Sequence, residues 1–377
     1  MTATVAAPSR AAERTARGRG SLRRLPFLLP GGIALLAGLD AALMLIGLPA
    51  PVTADRLPDV HGMLLVLGFV GTLISLERSV ALARAAGYLA PALLGAGALL
   101  LVSPAPLVLG KGMLVAGATA LVGVYVPLWR RQRDDAVLVQ ALGAVLAVGA
   151  AVLWLGGVAV PALLPWLVGF IVLTIAGERL ELARLAMGPG AGTRLVLLSS
   201  ALVVGVVGSL LWPAVVTPAL GIVLLVLVGW LVTHDVARRT VRATGLARFM
   251  AASMLAGYAW LAVAGAVWGL AGQVTEGSGY DAVVHAVFLG FTMSMIMAHA
   301  PVILPAVLRR PMPYHPALVV VAVALHASLV LRLWAGDALG SPLAWQAGGA
   351  VNIASLLGFV GVVVWLVSRP RPTGSRR

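Results

Sequence analysis

The chain has 377 residues, of which 60% are hydrophobic and only 11% are charged, and its mean hydropathy is +1.02. This composition lies far outside the range of soluble domains, so it excludes a soluble enzyme and predicts an all-α polytopic membrane protein. The net charge of +14 does not indicate a nucleic-acid partner, because the basic residues lie in short loops between apolar segments. Cysteine is absent, which excludes disulfides and iron–sulfur clusters and leaves His, Met and carboxylates as metal ligands.

The predicted organisation is one membrane domain between two basic tails. Residues 1–24 are rich in Ala and Arg and contain one acidic residue, Glu13. No short apolar core with a cleavage site precedes the first long apolar stretch, so we expect a retained, disordered cytoplasmic tail, although a transit peptide has the same composition. The membrane domain is expected to cover residues 25–368, and residues 369–377 are expected to form a second cytoplasmic tail.

Twelve apolar segments are long enough to cross a hydrocarbon core of about 30 Å at about 1.5 Å per residue. The bilayer is therefore the first predicted partner. In chain order the segments are 26–48, 59–83, 87–103, 105–128, 136–158, 161–182, 193–212, 214–232, 247–270, 280–300, 314–333 and 344–367.

The basic residues are divided unequally between the two sides of these segments. If the N-terminus is cytoplasmic, all but three of the 27 Lys and Arg residues fall on the cytoplasmic side, the exceptions being Arg56, Lys111 and Arg332. Cytoplasmic loops of membrane proteins carry such an excess. We therefore predict that both termini are cytoplasmic. The almost complete replacement of Lys by Arg is typical of a GC-rich bacterial genome, so we expect a bacterial cytoplasmic membrane.

A Gly-Phe pair followed by a polar residue recurs in the second, sixth and tenth segments. The copies are Gly68-Phe69 with Glu77, Gly169-Phe170 with Glu178, and Gly290-Phe291 with His299. The same step from Gly to the polar residue, repeated every four segments, predicts three four-helix units arranged in a ring. The alternative is that Gly-Phe pairs followed by interfacial charges are a general feature of membrane helices.

Two histidines near the predicted outer ends of different helices suggest a metal centre. His61 lies about 3 Å inside the second helix and His285 about 8 Å inside the tenth, at about 1.5 Å per residue. Two neutral imidazoles can ligate a haem iron from both sides, so we predict that His61 and His285 bind haem b. The alternative for any one histidine is an interhelical hydrogen bond without a cofactor.

Other polar residues are expected to support or extend this site. His326, about 10 Å inside the outer end of its helix, and His299 are further candidate metal ligands, which could hold copper or no metal. Gly68 and Thr72 share the helical face of His61 and would let a flat porphyrin approach. Asp40 could accept the second ring N–H of a ligating histidine or pair with Lys111.

Charged and proline residues cluster at the predicted inner ends of the same helices. Glu77-Arg78 and the cluster from Glu178 to Arg184 are expected to form ion pairs at the interface, with arginines that extend to water. Pro301 and Pro305 are expected to interrupt the tenth helix just after His299.

The segments HGMLLVLGFVGTLISLER and HAVFLGFTMSMIMAHAPVILPAVL, within three four-helix units, resemble two related families. These are subunit I of the haem–copper oxidases and the NnrS family, a haem- and copper-containing membrane group linked to the nitric oxide response of denitrifying bacteria. The resemblance implies that His61 is the haem ligand of the second helix and that His285 or His299 serves in the tenth. Oxidases carry copper-binding histidines on the sixth and seventh helices, and segments 161–182 and 193–212 contain none. Reduction of oxygen at a binuclear centre is therefore not expected.

The function that we expect is electron transfer, or a response to nitric oxide or another diatomic gas, by a membrane protein with bound haem b and a redox partner protein. One alternative is a secondary transporter for a small solute, although carriers usually repeat in six-helix halves. A further alternative is a structural membrane subunit without a cofactor.

Overall fold

The structure, a computed structural model, describes residues 25–369 and confirms the predicted all-helical membrane fold. The predicted tails lie outside the described residues, except for Arg369. Twelve helices within the described part are long and apolar enough to cross a membrane. They are α1 Pro26–Leu45, α2 Arg56–Leu82, α3 Ala85–Val102, α4 Leu107–Gln132, α5 Asp135–Leu155, α6 Val160–Arg184, α7 Ala191–Leu211, α8 Pro213–His234, α9 Gly245–Ala271, α10 Gly277–Leu308, α11 Ala317–Ala338 and α12 Pro342–Ser368.

Two helix boundaries differ from the prediction in ways that affect the site. The helix α10 continues through Pro301 and Pro305 to Leu308, so the predicted interruption after His299 is wrong. Proline removes one backbone hydrogen bond but is tolerated in membrane helices that neighbouring helices support. The helix α11 begins at Ala317, which places His326 about 13.5 Å from its first residue. His326 therefore lies near mid-depth, and its predicted place near the outer end is wrong.

The helices that carry the Gly-Phe recurrence form the centre of the bundle. In α2, α6 and α10, 67% to 78% of the most apolar stretch is buried, against 28% to 56% in the other nine helices. Consecutive helices pack on one another, and α12 packs on α1 to close the ring. This arrangement agrees with three four-helix units, each of which contributes its second helix to the centre.

Three helices contain a π-helical segment. These segments are Leu64–Gly71 in α2, Ala286–Thr292 in α10 and Leu331–Ala338 in α11. A π-helical turn shifts the register of the residues that follow it and occurs frequently at functional sites. The Gly-Phe pairs of α2 and α10 lie inside such segments, whereas Gly169-Phe170 lies in a regular α-helix. The recurrence therefore marks a common scaffold, while only two of its copies carry the distortion.

The contact between α8 and α9 provides a test of close packing. A Cβ atom on Gly221 would lie 2.4 Å from the backbone nitrogen of Gly269 and 2.6 Å from the carbonyl oxygen of Gly265. We expect Gly221→Ala to cost about 1–3 kcal/mol, because backbone atoms cannot move aside as a side chain can. Gly229 in the same helix has no heavy atom within 4 Å of such a Cβ, so Gly229→Ala is the matched control. Thermal unfolding in detergent measures both, and equal melting temperatures would contradict the expectation.

Candidate functional site

The two ends of α2 define two faces of the bundle, which we name the His61 face and the Arg78 face. His61 lies near the start of α2, and His285 lies near the start of α10. His61 interacts electrostatically with both His285 and Arg332 of α11. Arg332 lies in a π-helical segment, His285 directly precedes one, and His61 lies three residues before one. The structure therefore places the two predicted haem ligands at the same face of the bundle.

The ring nitrogens of His61 and His285 have matching hydrogen-bond patterns. The Nδ1 atom of His61 lies 2.8 Å from the carbonyl oxygen of Gly38 in α1. The Nδ1 atom of His285 lies 3.0 Å from the carbonyl oxygen of Asp281 and 3.0 Å from its carboxylate. A carbonyl oxygen can only accept, so Nδ1–H donates in both rings. A neutral ring of this tautomer presents an unprotonated Nε2, the form that binds a metal.

Arg332 holds the carboxylate beside His285. Its Nε and Nη2 atoms donate to the two oxygens of Asp281 at 2.9 and 2.8 Å. The guanidinium also lies over the ring of Trp345, 4.9 Å from the ring centroid. Close approach of α12 requires Gly348, where a Cβ atom would lie 2.7 Å from the Cβ atom of Arg332. This paired arrangement fixes Asp281 and, through it, the orientation of the His285 ring.

Sequence reasoning missed both Asp281 and Arg332. A signal for Asp281 was present, because residues four apart share a helical face and Asp281 precedes His285 by that step. Arg332 gave no such signal. We counted it among the outer basic residues, but it is 93% buried, since only 7% of its surface is exposed.

Asp40 has neither of its two predicted partners. Its Oδ1 atom accepts from the backbone N–H of Val52 at 3.2 Å. The acceptor for His61 is instead the backbone carbonyl oxygen of Gly38, two residues earlier in α1. Lys111 donates to the carbonyl oxygen of Trp154 at 3.1 Å instead of pairing with Asp40. The predicted roles of Asp40 are therefore wrong.

The predicted flat face at Gly68 and Thr72 is filled by other helices. A Cβ atom on Gly68 would lie 2.9 Å from the Cβ atom of Ala98 in α3 and 3.3 Å from that of Ala34 in α1. The Thr72 side chain is fully buried, and its methyl group would lie 3.5 Å from a Cβ on Gly31 of α1. Small residues here permit close packing of helices, so the interpretation of this face as a porphyrin surface is wrong.

The other two candidate metal ligands have separate surroundings. The Nδ1 atom of His299 lies 2.7 Å from the carbonyl oxygen of Met295, and its Nε2 atom lies 3.4 Å from a nitrogen of Arg179. His326 accepts a hydrogen bond at Nδ1 from the indole N–H of Trp260 at 3.0 Å. In residues 25–369, no group of three or more His, Asp or Glu residues is arranged to hold a metal ion. The four predicted histidines therefore do not form one ligand set.

A second polar cluster, at the Arg78 face, is built around Arg78. This arginine lies 2.5 Å from Glu77 and 3.0 Å from Glu181, and its nearest contact with Glu178 is 3.8 Å. It also donates to Gln140 of α5 at 3.0 Å. The predicted ion pair between Glu77 and Arg78 is present. The expectation that Arg78 extends to water is wrong, because the side chain is buried between α2, α5 and α6.

Arg179 forms the other half of this cluster. Its Nε and Nη2 atoms donate to Asp235 at 2.8 and 2.9 Å, and the Tyr258 hydroxyl donates to the same carboxylate at 2.7 Å. Asp235 lies beyond the end of α8 and accepts from the backbone N–H of Ala237 at the start of a short helix, Ala237–Thr240. Burial alone would raise the pKa of Asp235, but the hydrogen bonds and charge of Arg179 outweigh burial and lower it. Asp235 is therefore ionised at neutral pH, and Arg179 is buried and paired with a residue outside the predicted cluster from Glu178 to Arg184.

A cavity of about 290 Å³ lies between α1, α2, α6, α10 and α12. We name it the central cavity. Its walls are mostly apolar, and Glu77, Glu178 and His299 are the titratable residues that line it. These three are the polar residues that follow the Gly-Phe pairs of α2, α6 and α10. Each of the three central helices thus supplies one polar residue to the central cavity. The sequence recurrence therefore has a common location as well as a common spacing.

The fold is that of a polytopic helical membrane protein with two buried polar clusters. One face carries His61 and His285, and the other carries Arg78 and Arg179, each bonded to carboxylates. The chain belongs to the family described as a domain of unknown function (DUF8744), whose model matches residues 24–368. No curated protein and no solved structure matches the chain.

Proposed function

We propose that the protein binds haem b between His61 and His285 and serves in electron transfer. The observation that carries this proposal is the matched pair of imidazoles, each with Nδ1–H engaged by an oxygen acceptor and an Nε2 that no described residue contacts by a hydrogen bond. Two neutral imidazole nitrogens from two helices are a donor set that suits haem iron. When bound, haem supplies a one-electron couple at the iron.

The surrounding residues maintain the form of the two histidines that this role needs. The carbonyl oxygens of Gly38 and Asp281 keep the ring proton on Nδ1, and the Asp281 carboxylate strengthens the donor character of His285. Arg332 balances the charge of that carboxylate inside the membrane. If both His61 and His285 held the haem iron, no coordination position would remain for a gas, so electron transfer is favoured over binding of nitric oxide.

The orientation and location belong to the same proposal. The excess of basic residues at the Arg78 face supports a cytoplasmic Arg78 face and cytoplasmic termini. The composition supports a bacterial cytoplasmic membrane. Twelve helices in a ring, with histidines near the starts of α2 and α10, support a relationship to the NnrS and haem–copper oxidase families.

The decisive measurement is an absorption spectrum of the protein purified from haem-replete cells, with a pyridine haemochrome assay. We expect a Soret band, a low-spin spectrum and about one haem b per chain, because one pair of axial ligands is available. A colourless preparation from such cells would refute the proposal.

A secondary transporter is the second candidate, because the central cavity is apolar yet presents two carboxylates. In that case Glu178 would bind the solute or a coupled proton. Uptake of small organic amines into proteoliposomes separates the candidates. Transport that survives His61→Ala and His285→Ala but stops in Glu178→Gln would favour the transporter.

A further inference from the structure

A groove between α9 and α11 forms a second cavity, separate from the central cavity and from both buried clusters. Its volume is about 550 Å³, and Arg248, Phe249, Ser253, Tyr314, Val323 and His326 are among its lining residues. We name it the α9–α11 groove. Its lining on α9 extends from Thr244 to Ala256, a rise of about 18 Å. Val323 is 61% exposed, so the groove is open on the side that faces lipid.

His326 presents a hydrogen-bond donor in this groove. The indole N–H of Trp260 can only donate, so the Nδ1 atom of His326 that receives it carries no hydrogen. A neutral imidazole of this tautomer has its hydrogen on Nε2. No residue in the described part of the chain accepts from that N–H. Trp260 thus fixes His326 as a donor that needs an acceptor from outside the chain.

Ser253 supplies a second unused polar group on the opposite wall. Its side chain belongs to α9, lines the groove and is 95% buried, since 5% of its surface is exposed. Serines in membrane helices commonly donate to a carbonyl of their own helix, as Ser200 and Ser355 do here. Ser253 makes no such bond within residues 25–369. The Ser253 hydroxyl oxygen is not enclosed by the protein, and a polar group without a partner inside a membrane is costly, so a ligand that bonds it is favoured.

The depth of these groups restricts what can occupy the groove. His326 lies about 13.5 Å from the first residue of α11, close to the middle of a core of about 30 Å. Acyl chains at that depth contain no hydrogen-bond acceptor. We propose that the α9–α11 groove binds the ring of a lipid-soluble quinone, with His326 Nε2–H and the Ser253 hydroxyl bonded to its oxygen atoms and with the isoprenoid chain extending into lipid.

An anionic phospholipid is the main competitor for this groove. Thr244 and Arg248 at its mouth would suit a phosphate group. A phosphate held at Thr244, however, lies about 13.5 Å along the helix axis from Ser253, which is farther than the glycerol ester carbonyls of the same lipid reach, so Ser253 and His326 stay without partners. Ser253 and His326 need hydrogen-bond acceptors near mid-depth, and the oxygen atoms of a quinone ring supply them, so the quinone is favoured.

This inference deepens the proposed electron transfer by naming a membrane-soluble partner, and it rests on that function only for its physiological role. Binding of a quinone can be measured without haem. A colourless protein that still binds quinone would refute the haem proposal alone, and a pigmented protein that does not bind would refute this one alone.

The test uses the full chain in phosphatidylcholine nanodiscs, labelled with an azido-benzoquinone and light, with decylubiquinone as competitor. Peptide mass spectrometry should locate a saturable label on α9 and α11. We expect the concentration for half-maximal labelling to rise about tenfold in His326→Phe and about threefold in Ser253→Ala, as expected for loss of one hydrogen bond each. Ser200→Ala, which removes a serine exposed to lipid that bonds its own helix, should leave it unchanged.

Melting temperatures of the variants show whether a substitution removes the site or unfolds the protein. If His326→Phe does not fold, Ser253→Ala still tests the proposal, because it removes only one hydroxyl group. Labelling that decylubiquinone fails to compete, or labelling that neither substitution weakens, would overturn the proposal. A phospholipid retained in the groove on native mass spectrometry, and not displaced by the quinone, would overturn it too.

Discussion

His61→Ala and His285→Ala are each expected to abolish the low-spin haem spectrum and most of the Soret band of the purified protein. Haem b has no covalent attachment, so its retention depends on both Nε2 atoms, and each substitution removes one. Asp281→Asn keeps both ligands but removes the charge beside His285, and a change of this kind weakens metal binding by about tenfold or more. Absorption spectra with haem quantification measure all three.

The matched control for this prediction is His315→Ala. His315 lies at the Arg78 face, where its ring packs edge-on against Trp365, with ring centroids 5.0 Å apart. It is also a histidine between membrane helices, but it has no place in the proposed site, so its removal should leave the spectrum unchanged. An unaltered low-spin spectrum in His61→Ala, in protein with a normal melting temperature, would show that the ligands lie elsewhere.

Arg78→Ala is expected to lower the stability of the fold by about 3–5 kcal/mol. The substitution removes the positive charge that Glu77, Glu178 and Glu181 share, and it leaves these three residues close together without it. Breaking a buried ion pair by removing one partner has a cost of about this size. Arg78→Lys restores the charge but has three donors on a single nitrogen in place of the five on the planar guanidinium, so it cannot keep all of these bonds and its melting temperature should be intermediate.

The control arginine is Arg184, which pairs with Asp134 at 2.6 Å but has a side chain that is 67% exposed. An exposed pair of this kind contributes only about 0–1 kcal/mol, so Arg184→Ala should change the melting temperature little. Adding Glu77→Gln to Arg78→Ala should recover part of the stability, because it removes one of the uncompensated charges. If the Arg78 and Arg184 variants melt alike, the cluster at the Arg78 face is not a stabilising centre.

The two clusters have different relations to the cavities. The histidine pair lies near one face, while Glu77, Glu178 and His299 line the central cavity toward the other. His285 and His299 are separated by about 21 Å along α10, at about 1.5 Å per residue. Substitutions in one cluster should therefore leave the other intact, and the spectral and stability predictions can be tested independently.

The sequence by itself determined the number, order and approximate length of the membrane helices, and it singled out α2, α6 and α10. The physical reason is local, because each helix must supply its own run of about 20 apolar residues to cross lipid. His61 and His285 were recognised for the same reason. A polar residue inside such a run is conspicuous wherever the helix packs.

Only the tertiary structure decided which partner each polar residue has. Arg332 bonds Asp281, 51 residues away, and Arg179 bonds Asp235, 56 residues away, whereas sequence reasoning had placed these arginines at the interface or outside. Gly38 accepts from His61 although Asp40 had been expected near it. These choices depend on how each helix is rotated and how closely it approaches its neighbours. Rotation and approach are set by packing at residues such as Gly348 and Gly221, and no local pattern in the sequence encodes them.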